Sequence, residues 1–238
     1  VSNDTYLKKK NIVSDVVEDS STLHSYLNYN SFDSESSFEI NFEVFEDLSK
    51  KKSDRYEYIF PSFNYEKNLN SKKNLNGDLN YNFRGFNKIY NTNVDEKIAV
   101  NDFKYFSFPK VNFAMDGLQT SYKMLLRNIN SNSNNSSNFK NGSDQKLLSS
   151  ILLEASLPLK KEKIDSKSFL TPKISARYSP SPTKNNYNSS VKLDYENIFS
   201  LDRVDDEAVE GGESLTLGME YSSLNNNGED FFNLSIGN

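Results

Sequence analysis

Apolar and polar residues alternate along most of the chain with a period of two. The clearest case is the stretch SFEINFEVFED at residues 37–47. Its apolar parity consists of Phe38, Ile40, Phe42 and Val44, and its polar parity consists of Glu39, Asn41 and Glu43. Successive side chains of a β-strand point to opposite faces, so this spacing predicts a strand with one apolar and one polar face.

The same alternation recurs in further segments. It is strong at 79–86, 191–203 and 215–221, and weaker at 22–28, 56–65, 98–108, 117–128, 147–157, 169–178 and 231–237. The stretch at 146–157 also fits helical spacing, but it runs on into SLPLKKE without a cap, and strands flank it. We predict an antiparallel meander of ten or more strands over residues 22–237, with no helix longer than two turns.

Parity sorts the side chains of these strands into two sets. The apolar set comprises Phe38, Ile40, Phe42, Val44, Leu79, Tyr81, Phe83, Val191, Leu193, Tyr195, Leu215, Leu217 and Met219. The polar set comprises Glu39, Glu43, Arg84, Lys192, Asp194, Glu196 and Glu220. The pattern predicts that each set occupies one face of the sheet.

Alternation alone does not separate a transmembrane barrel from a soluble sandwich, because both architectures alternate. Several segments reach the 9 to 11 or so residues that span a bilayer, whereas sandwich strands are typically about five or six residues long. Long polar connections are predicted at 130–144 and 179–190. Aromatic residues crowd some strand ends in the manner of interfacial girdles, with an ordinary sandwich core as the alternative: Tyr56, Tyr58, Phe60, Phe63, Tyr65, Phe103, Tyr105, Phe106 and Phe108. Strand length favours the all-β membrane barrel.

Composition narrows the partners. The chain has 238 residues, of which 35% are hydrophobic, yet 14 Tyr and 17 Phe are too many for an ordinary disordered chain. A net charge of -5 with both signs interspersed leaves no basic footprint, so nucleic acid is not expected as a partner. No apolar run reaches the 18 or so residues of a transmembrane helix, and the amino end lacks the apolar core of a signal peptide.

Residues that could carry catalysis or bind metal are few. The run DRVDDEAVEGGE at 202–213 could offer oxygen ligands to a cation, but its spacing is not that of an EF-hand loop, and a solvated turn explains it better. His24 lies on an alternating segment and is interpreted as a strand-face residue rather than a general base. Cysteine is absent, and no nucleophile motif or phosphate loop occurs. We therefore predict no enzyme activity, no cofactor and no metal.

Residues 172–223 contain the three pieces PKISARYSP, NIFSLDR and EGGESLTLGMEY. These pieces resemble the LptD family, the outer-membrane proteins that assemble lipopolysaccharide, in an alphaproteobacterial form. Upstream, NDTYLKK, TLHSYLNYNSF, FEVFEDL, DRYEYIFPSFNY and FKYFSFPKVNFAMDGLQTSYKMLLRN follow in the family's order, so the resemblance covers nearly the whole chain. The family's amino-terminal jelly-roll and last strands have no counterpart, which implies that residues 1–238 are a partial barrel domain with open edges.

The resemblance also implies a function and partners. In the family, lipopolysaccharide arrives from the periplasmic bridge protein LptA through the amino-terminal domain, and the barrel delivers it to the outer leaflet. The resemblance further implies the cell outer membrane as location and the plug lipoprotein LptE as a partner. Under this interpretation the polar set faces the lumen, and the apolar set, including Leu193 and Tyr195, faces the outer-membrane lipids. No covalent chemistry is implied.

Two alternatives stay open at this point. A different outer-membrane barrel, such as a porin-like channel, fits the composition equally well, although the EGGESLTLGMEY and NIFSLDR pieces favour LptD. A secreted, soluble β-sandwich that binds glycans is the other alternative. Dependence on detergent would separate the sandwich from both barrels, and association with an LptE-like lipoprotein would separate the two barrels from each other.

Overall fold

The computed structural model describes residues 22–51, 54–69, 76–112, 117–164, 166–182, 193–195, 197–201, 203, 209–225 and 230–238. None of these residues lies in a helix. They form twelve strands. The strands are β1 Thr22–Phe32, β2 Ser36–Asp47, β3 Tyr56–Asn68, β4 Gly77–Tyr90, β5 Val94–Ser107, β6 Lys110–Asn112, β7 Leu118–Asn134, β8 Gly142–Ser156, β9 Leu159–Glu162, β10 Ser166–Ser179, β11 Gly212–Asn225 and β12 Asp230–Gly237.

The strands pair in the order of the chain. The sheet runs β1-β2-β3-β4-β5-β7-β8-β10-β11-β12, with the short β6 on β7 and the short β9 on β10. The strand pairings with a defined register are antiparallel. The predicted antiparallel meander is therefore confirmed, and residues 146–157 form part of a strand rather than a helix. The sheet is open, with β1 and β12 at its two ends.

Several strands are more than twice as long as the five or six or so residues that are typical of strands in globular proteins. β2 has 12 residues, β4 and β10 have 14 each, and β7 has 17. The connection predicted at 130–144 is shorter in the structure, because β7 continues to Asn134 and β8 begins at Gly142. The prediction is therefore wrong at both ends of this stretch. The Asn and Ser side chains of this stretch do not prevent pairing, since hydrogen bonds of the strand backbone are indifferent to side-chain polarity.

The strand predicted at 191–203 is wrong over the residues that the structure describes. Asp194 and Asn197 instead close a turn, in which the amide N–H of Ile198 donates to the carbonyl of Asp194. The two turn residues also bond each other reciprocally, each backbone N–H donating to the other's side-chain oxygen at 3.0 and 3.1 Å. This Asx-type local bonding competes with strand pairing and outweighs the period-2 pattern.

A bulge in β3 keeps the aromatic residues on one face. Opposite β2, Asn41 pairs with Ser62 but Glu43 pairs with Ile59, so Phe60 and Pro61 together occupy one step of the ladder. The extra residue reverses the parity of β3. Tyr58, before the bulge, and Phe63, after it, consequently both pair with apolar-set residues of β2.

Contacts divide the chain into two units. Unit 1 consists of Val1–Asn68, Tyr81–Asp102 and Asn128–Lys146, and unit 2 consists of Leu69–Asn80, Phe103–Arg127 and Leu147–Asn238. Strands β1 to β3 belong to unit 1, strands β9 to β12 belong to unit 2, and β4, β5, β7 and β8 contribute residues to both.

Candidate functional site

One face of unit 2 is apolar and exposed. The strand registers align its side chains in rows: Leu153, Ala176 and Leu215 form one row, and Ala155, Ile174 and Leu217 form the next. Leu215 is 65% exposed and Leu217 is 55% exposed. We call this side the apolar face. Large hydrophobic side chains are normally the most buried ones in a soluble protein, so the distribution is inverted here.

The opposite face of unit 2 is polar and buried. Its rows include Leu152 with Arg177 and Ser214, followed by Glu154 with Ser175 and Thr216. Arg177 is 4% exposed and Ser175 is 2% exposed. We call this side the polar face. Two ion pairs lie on it: Lys123 Nζ is 2.9 Å from Glu154 Oε1, and Lys173 pairs with the predicted polar-set residue Glu220.

In unit 1 the polar parity of β1 and β2 carries a chain of side-chain hydrogen bonds. The Asn28 amide donates to Glu39 Oε1 at 3.3 Å and also to Asn41, whose amide donates to Glu39 Oε1 at 2.9 Å. Further along β2, His24 Nε2 lies 3.0 Å from Glu43 Oε1. Glu39 and Glu43 therefore both engage polar partners from β1, and His24 acts as a strand-face residue as predicted.

A second chain of side-chain hydrogen bonds crosses β3, β4 and β5 of unit 1. The Asn82 amide donates to Asn64 Oδ1 at 2.7 Å and to Glu66 Oε1 at 3.2 Å. Arg84 then donates to Asn82 Oδ1 at 3.0 Å and to Asp102 Oδ2 at 2.9 Å. Because Asp102 is fully buried and Arg84 is partly exposed, salt should screen this ion pair less than it screens an exposed pair.

Described residues of the connection between β10 and β11 pack on the polar face of unit 2. Gly218 and Gly237 pair directly in the β11–β12 ladder. A Cβ atom at Gly218 would lie 2.5 Å from Phe199 Cζ, and one at Gly237 would lie 3.2 Å from Tyr195 Cδ2. Both rings therefore occupy space that only glycine leaves open.

Two arginines fasten this connection. Arg177 of β10 donates to the backbone carbonyls of Leu201, at 3.1 Å, and of Glu210. Arg203, inside the connection, forms a forked ion pair with the Glu210 carboxylate, with Nε to Oε2 at 2.6 Å and Nη2 to Oε1 at 3.2 Å. Forked arginine–carboxylate pairs are among the strongest hydrogen-bonded contacts in proteins. Val209 is almost fully buried beside Glu210.

Tyr195 has a shifted acidity in this setting. Burial raises the pKa of Tyr195 to about 12, and the nearby Glu220 carboxylate adds to the increase. The hydroxyl itself makes no well-formed hydrogen bond. An uncharged phenol is therefore strongly favoured where the ring packs against Gly237.

The connection corrects part of the predicted residue sets. Asp194 belongs to a turn, Leu193 is exposed without lying on a strand, and Tyr195 packs on the polar side of β11 and β12 rather than with Leu215. These three assignments assumed a strand at 191–203, which the described residues do not form. Val191, Lys192 and Glu196 lie outside the described residues.

Sequence reasoning missed the fastening residues, although two patterns pointed to them. In KISARYS, Ser175, Arg177 and Ser179 follow the polar parity of a strand, which marks Arg177 as a polar-face residue. In SLTLGMEY, Gly218 interrupts a strand, and a glycine there indicates close approach of another group. The partners of both residues come from a connection whose course the alternation could not predict.

The described residues contain no group of three or more His, Asp or Glu side chains that could hold a metal ion. Four residues of the acidic run lie outside the described residues: Asp202, Asp205, Asp206 and Glu207. The Glu210 carboxylate forms an ion pair with Arg203. Within the described part of the chain, no helix is both long and apolar enough to cross a membrane.

Comparison with protein families gives one match that covers the whole sequence. The model of the family LptD, described as LPS transport system D, matches residues 1–238. No curated protein is similar enough to the chain to count as a match.

Proposed function

Since the chain belongs to the LptD family, we propose that its sheet is part of the wall of an outer-membrane barrel through which lipopolysaccharide passes. The family takes part in lipopolysaccharide transport to the outer membrane and is a transport and assembly family rather than an enzyme family. Our proposal adds the roles of the two faces. The apolar face contacts the membrane, and the polar face lines the passage.

The inverted distribution of side chains carries this proposal. Leu215 and Leu217 are exposed while Arg177 and Ser175 of the adjoining rows are buried. Strands of a membrane barrel alternate in this sense, with apolar side chains toward lipid and polar side chains toward the lumen. The described strands all belong to one sheet, so no second sheet covers the apolar face within the described part of the chain. A soluble sandwich would require such a cover.

The polar sides of the strands in both units supply the groups that a sugar-phosphate ligand requires. Amide side chains such as Asn28 and Asn82 donate and accept hydrogen bonds, and Arg84 and Lys173 add positive charge. We assign Glu39, Glu43, Arg84 and Glu220 to this lumen side. We assign Phe38, Ile40, Phe42, Val44, Leu215 and Leu217 to the lipid side.

The partners follow from the same assignment. An LptE-like plug lipoprotein would contact the polar face, and an LptA-like bridge would deliver lipopolysaccharide through a separate amino-terminal domain. Residues 1–238 would then be a partial barrel domain whose open ends at β1 and β12 pair with further strands. Unpaired edges of a long sheet are aggregation-prone, which favours such pairing.

Site-specific photo-crosslinking in the complete protein tests the proposal. Crosslinkers at Glu43 and Glu220 should capture lipopolysaccharide or the plug lipoprotein, whereas crosslinkers at Phe42 and Leu217 should capture phospholipid. Each pair lies close together on one strand, β2 or β11, and differs in face. The same adducts from both members of a pair would contradict the assignment of faces.

Depletion of the complete protein provides an independent test. Lipopolysaccharide should then fail to reach the cell surface and should accumulate upstream of the outer membrane. Normal surface lipopolysaccharide, with impaired uptake of small solutes as the sole defect, would indicate a porin-like channel instead.

A further inference from the structure

Part of the connection between β10 and β11, in the residues that the structure describes, packs on the polar face of unit 2. We call its described residues, 193–195, 197–201, 203, 209 and 210, the cover segment. Three independent contacts hold it: Arg177 binds its backbone at two carbonyls, Phe199 fills the space over Gly218, and Tyr195 lies on Gly237. Arg203 and Glu210 brace the segment internally.

On the polar face of unit 2, in the rows that the cover segment contacts and next to them, polar groups lack partners. The hydroxyl oxygens of Ser150, Ser175 and Ser214 are buried and make no hydrogen bond. Ser175 and Thr216 form the row between Arg177–Ser214 and Lys173–Gly218. The cover segment contacts both flanking rows, through Arg177 and through Gly218, so it lies across the row of Ser175.

These unpaired hydroxyls oppose the packing of the cover segment. A buried hydroxyl without a partner destabilises the packed state, and it recovers this free energy when water or a ligand reaches it. The residues that hold the cover in place and the residues that it leaves unsatisfied lie side by side on β10 and β11. Such an arrangement favours a segment that can be displaced over one that is permanently part of the core.

We propose that the cover segment is displaceable and that it hides a binding strip for phosphorylated sugar on β8, β10 and β11. The strip consists of Ser150, Ser175, Arg177, Ser214 and Thr216. Serine and threonine hydroxyls suit sugar hydroxyls, and a guanidinium suits phosphate, which would replace the carbonyls that Arg177 now binds. The inference rests on the proposed function, because it takes the polar face as the side that meets lipopolysaccharide.

Thiol labelling of the complete protein in detergent measures opening of the cover. Cysteine is absent from this chain, and Ser175→Cys places a near-isosteric thiol under the cover segment. Because Glu210 pairs with Arg203, Glu210→Gln should release the segment and raise the rate of labelling by a polar maleimide about tenfold to a hundredfold, since a charged hydrogen bond contributes about 1.5–3 kcal/mol and about 1.4 kcal/mol is a factor of ten. Glu213 is an exposed residue of β11 and lies outside the cover segment. Glu213→Gln makes the same chemical change there and should leave the labelling rate unchanged.

Ligand protection identifies what the strip binds. In the Ser175→Cys, Glu210→Gln protein, lipopolysaccharide should slow the labelling, dephosphorylated lipopolysaccharide should slow it less, and inorganic phosphate alone should act only at high concentration. Equal labelling with and without Glu210→Gln, or no protection by lipopolysaccharide, would overturn the inference.

A reversible lock tests the functional requirement. Cysteines at Phe199 and Gly218, joined by a short bis-methanethiosulfonate cross-linker, should block delivery of lipopolysaccharide, and reductant should restore it. Each single cysteine treated in the same way controls for misfolding and for reagent damage. Undiminished delivery in the locked protein would overturn the inference. The photo-crosslinkers at Glu220 and Leu217 lie outside the cover segment, so their adducts would still test the proposed function separately.

Discussion

The polar faces of β1–β3 and of β10–β11 arise from the same alternation but end in different states. In β1–β3 the amides and carboxylates of Asn28, Glu39 and Asn41 bond one another and stay partly or wholly exposed. In β10–β11, Ser175 and Arg177 are buried beneath the cover segment. Period-2 patterning thus decides which face is polar, but it does not decide whether that face is open.

Two local features account for the difference. Gly218 and Gly237 provide a flat patch on the polar side of β11 and β12, on which aromatic rings can lie. The connection between β10 and β11 spans residues 180–211, whereas β1 and β2 are joined by residues 33–35 only. A three-residue turn is too short to fold back over a face of the sheet. Open and covered regions should therefore respond differently to substitutions on the polar side and alike to substitutions on the apolar side.

The largest expected effect concerns the apolar side, where the two regions should agree. Leu217→Arg in β11 and Leu27→Arg in β1 should each lower the free energy of unfolding in lipid vesicles by about 2–4 kcal/mol if the positions lie near the bilayer midplane. Both leucines are more than half exposed, so loss of packing explains little of this cost. Asn30→Arg on the polar side of β1 serves as the control and should be nearly silent. If the three variants unfold alike, the apolar face does not meet lipid.

On the polar side, the two regions should differ. Arg177→Ala removes the hydrogen bonds to the carbonyls of Leu201 and Glu210 and should cost about 3 kcal/mol of unfolding free energy. Asn28→Ala removes three hydrogen bonds, two that the Asn28 amide donates and one that it accepts from Asn30, but water replaces them in the exposed β1 region, so the cost should stay below about 1 kcal/mol. Urea titration of the complete protein in vesicles compares the two variants. Equal costs would mean that the cover segment contributes nothing to stability.

The outcome for each region shows what alternation can predict. It predicted the strand β2 correctly, because a strand paired on both sides is fixed by backbone hydrogen bonds and parity. It failed at 191–203, where the side chains of Asp194 and Asn197 accept hydrogen bonds from each other's backbone N–H groups. In the same stretch Tyr195 and Phe199 pack against glycines of β12 and β11. The sequence pattern places Arg177 on the polar parity, but it does not predict the partners of Arg177, because these depend on the course of a long connection.

A smaller effect should come from the glycine patch. Gly218→Ala places a methyl group against the ring of Phe199 and should cost about 1–3 kcal/mol through overpacking. Phe199→Ala should relieve the clash, so the double variant should be more stable than the sum of the two single effects. A double-mutant cycle on unfolding free energy measures this coupling. Additive costs would show that the ring does not occupy the space over Gly218.

The smallest expected effect is a change in the titration of Tyr195. Because burial raises the pKa of Tyr195 to about 12, from an ordinary value of 10.0, the neutral phenol favours the covered state. This contribution is complete below pH 10 and is lost as the pH rises toward 12. The ultraviolet difference spectrum between the native protein and Tyr195→Phe should therefore show a tyrosinate step near pH 12. In a Glu210→Gln background the step should move toward pH 10, since a loosened cover segment lets water reach the phenol. A midpoint near 10 in the native background would mean that this end of the segment is already open in solution.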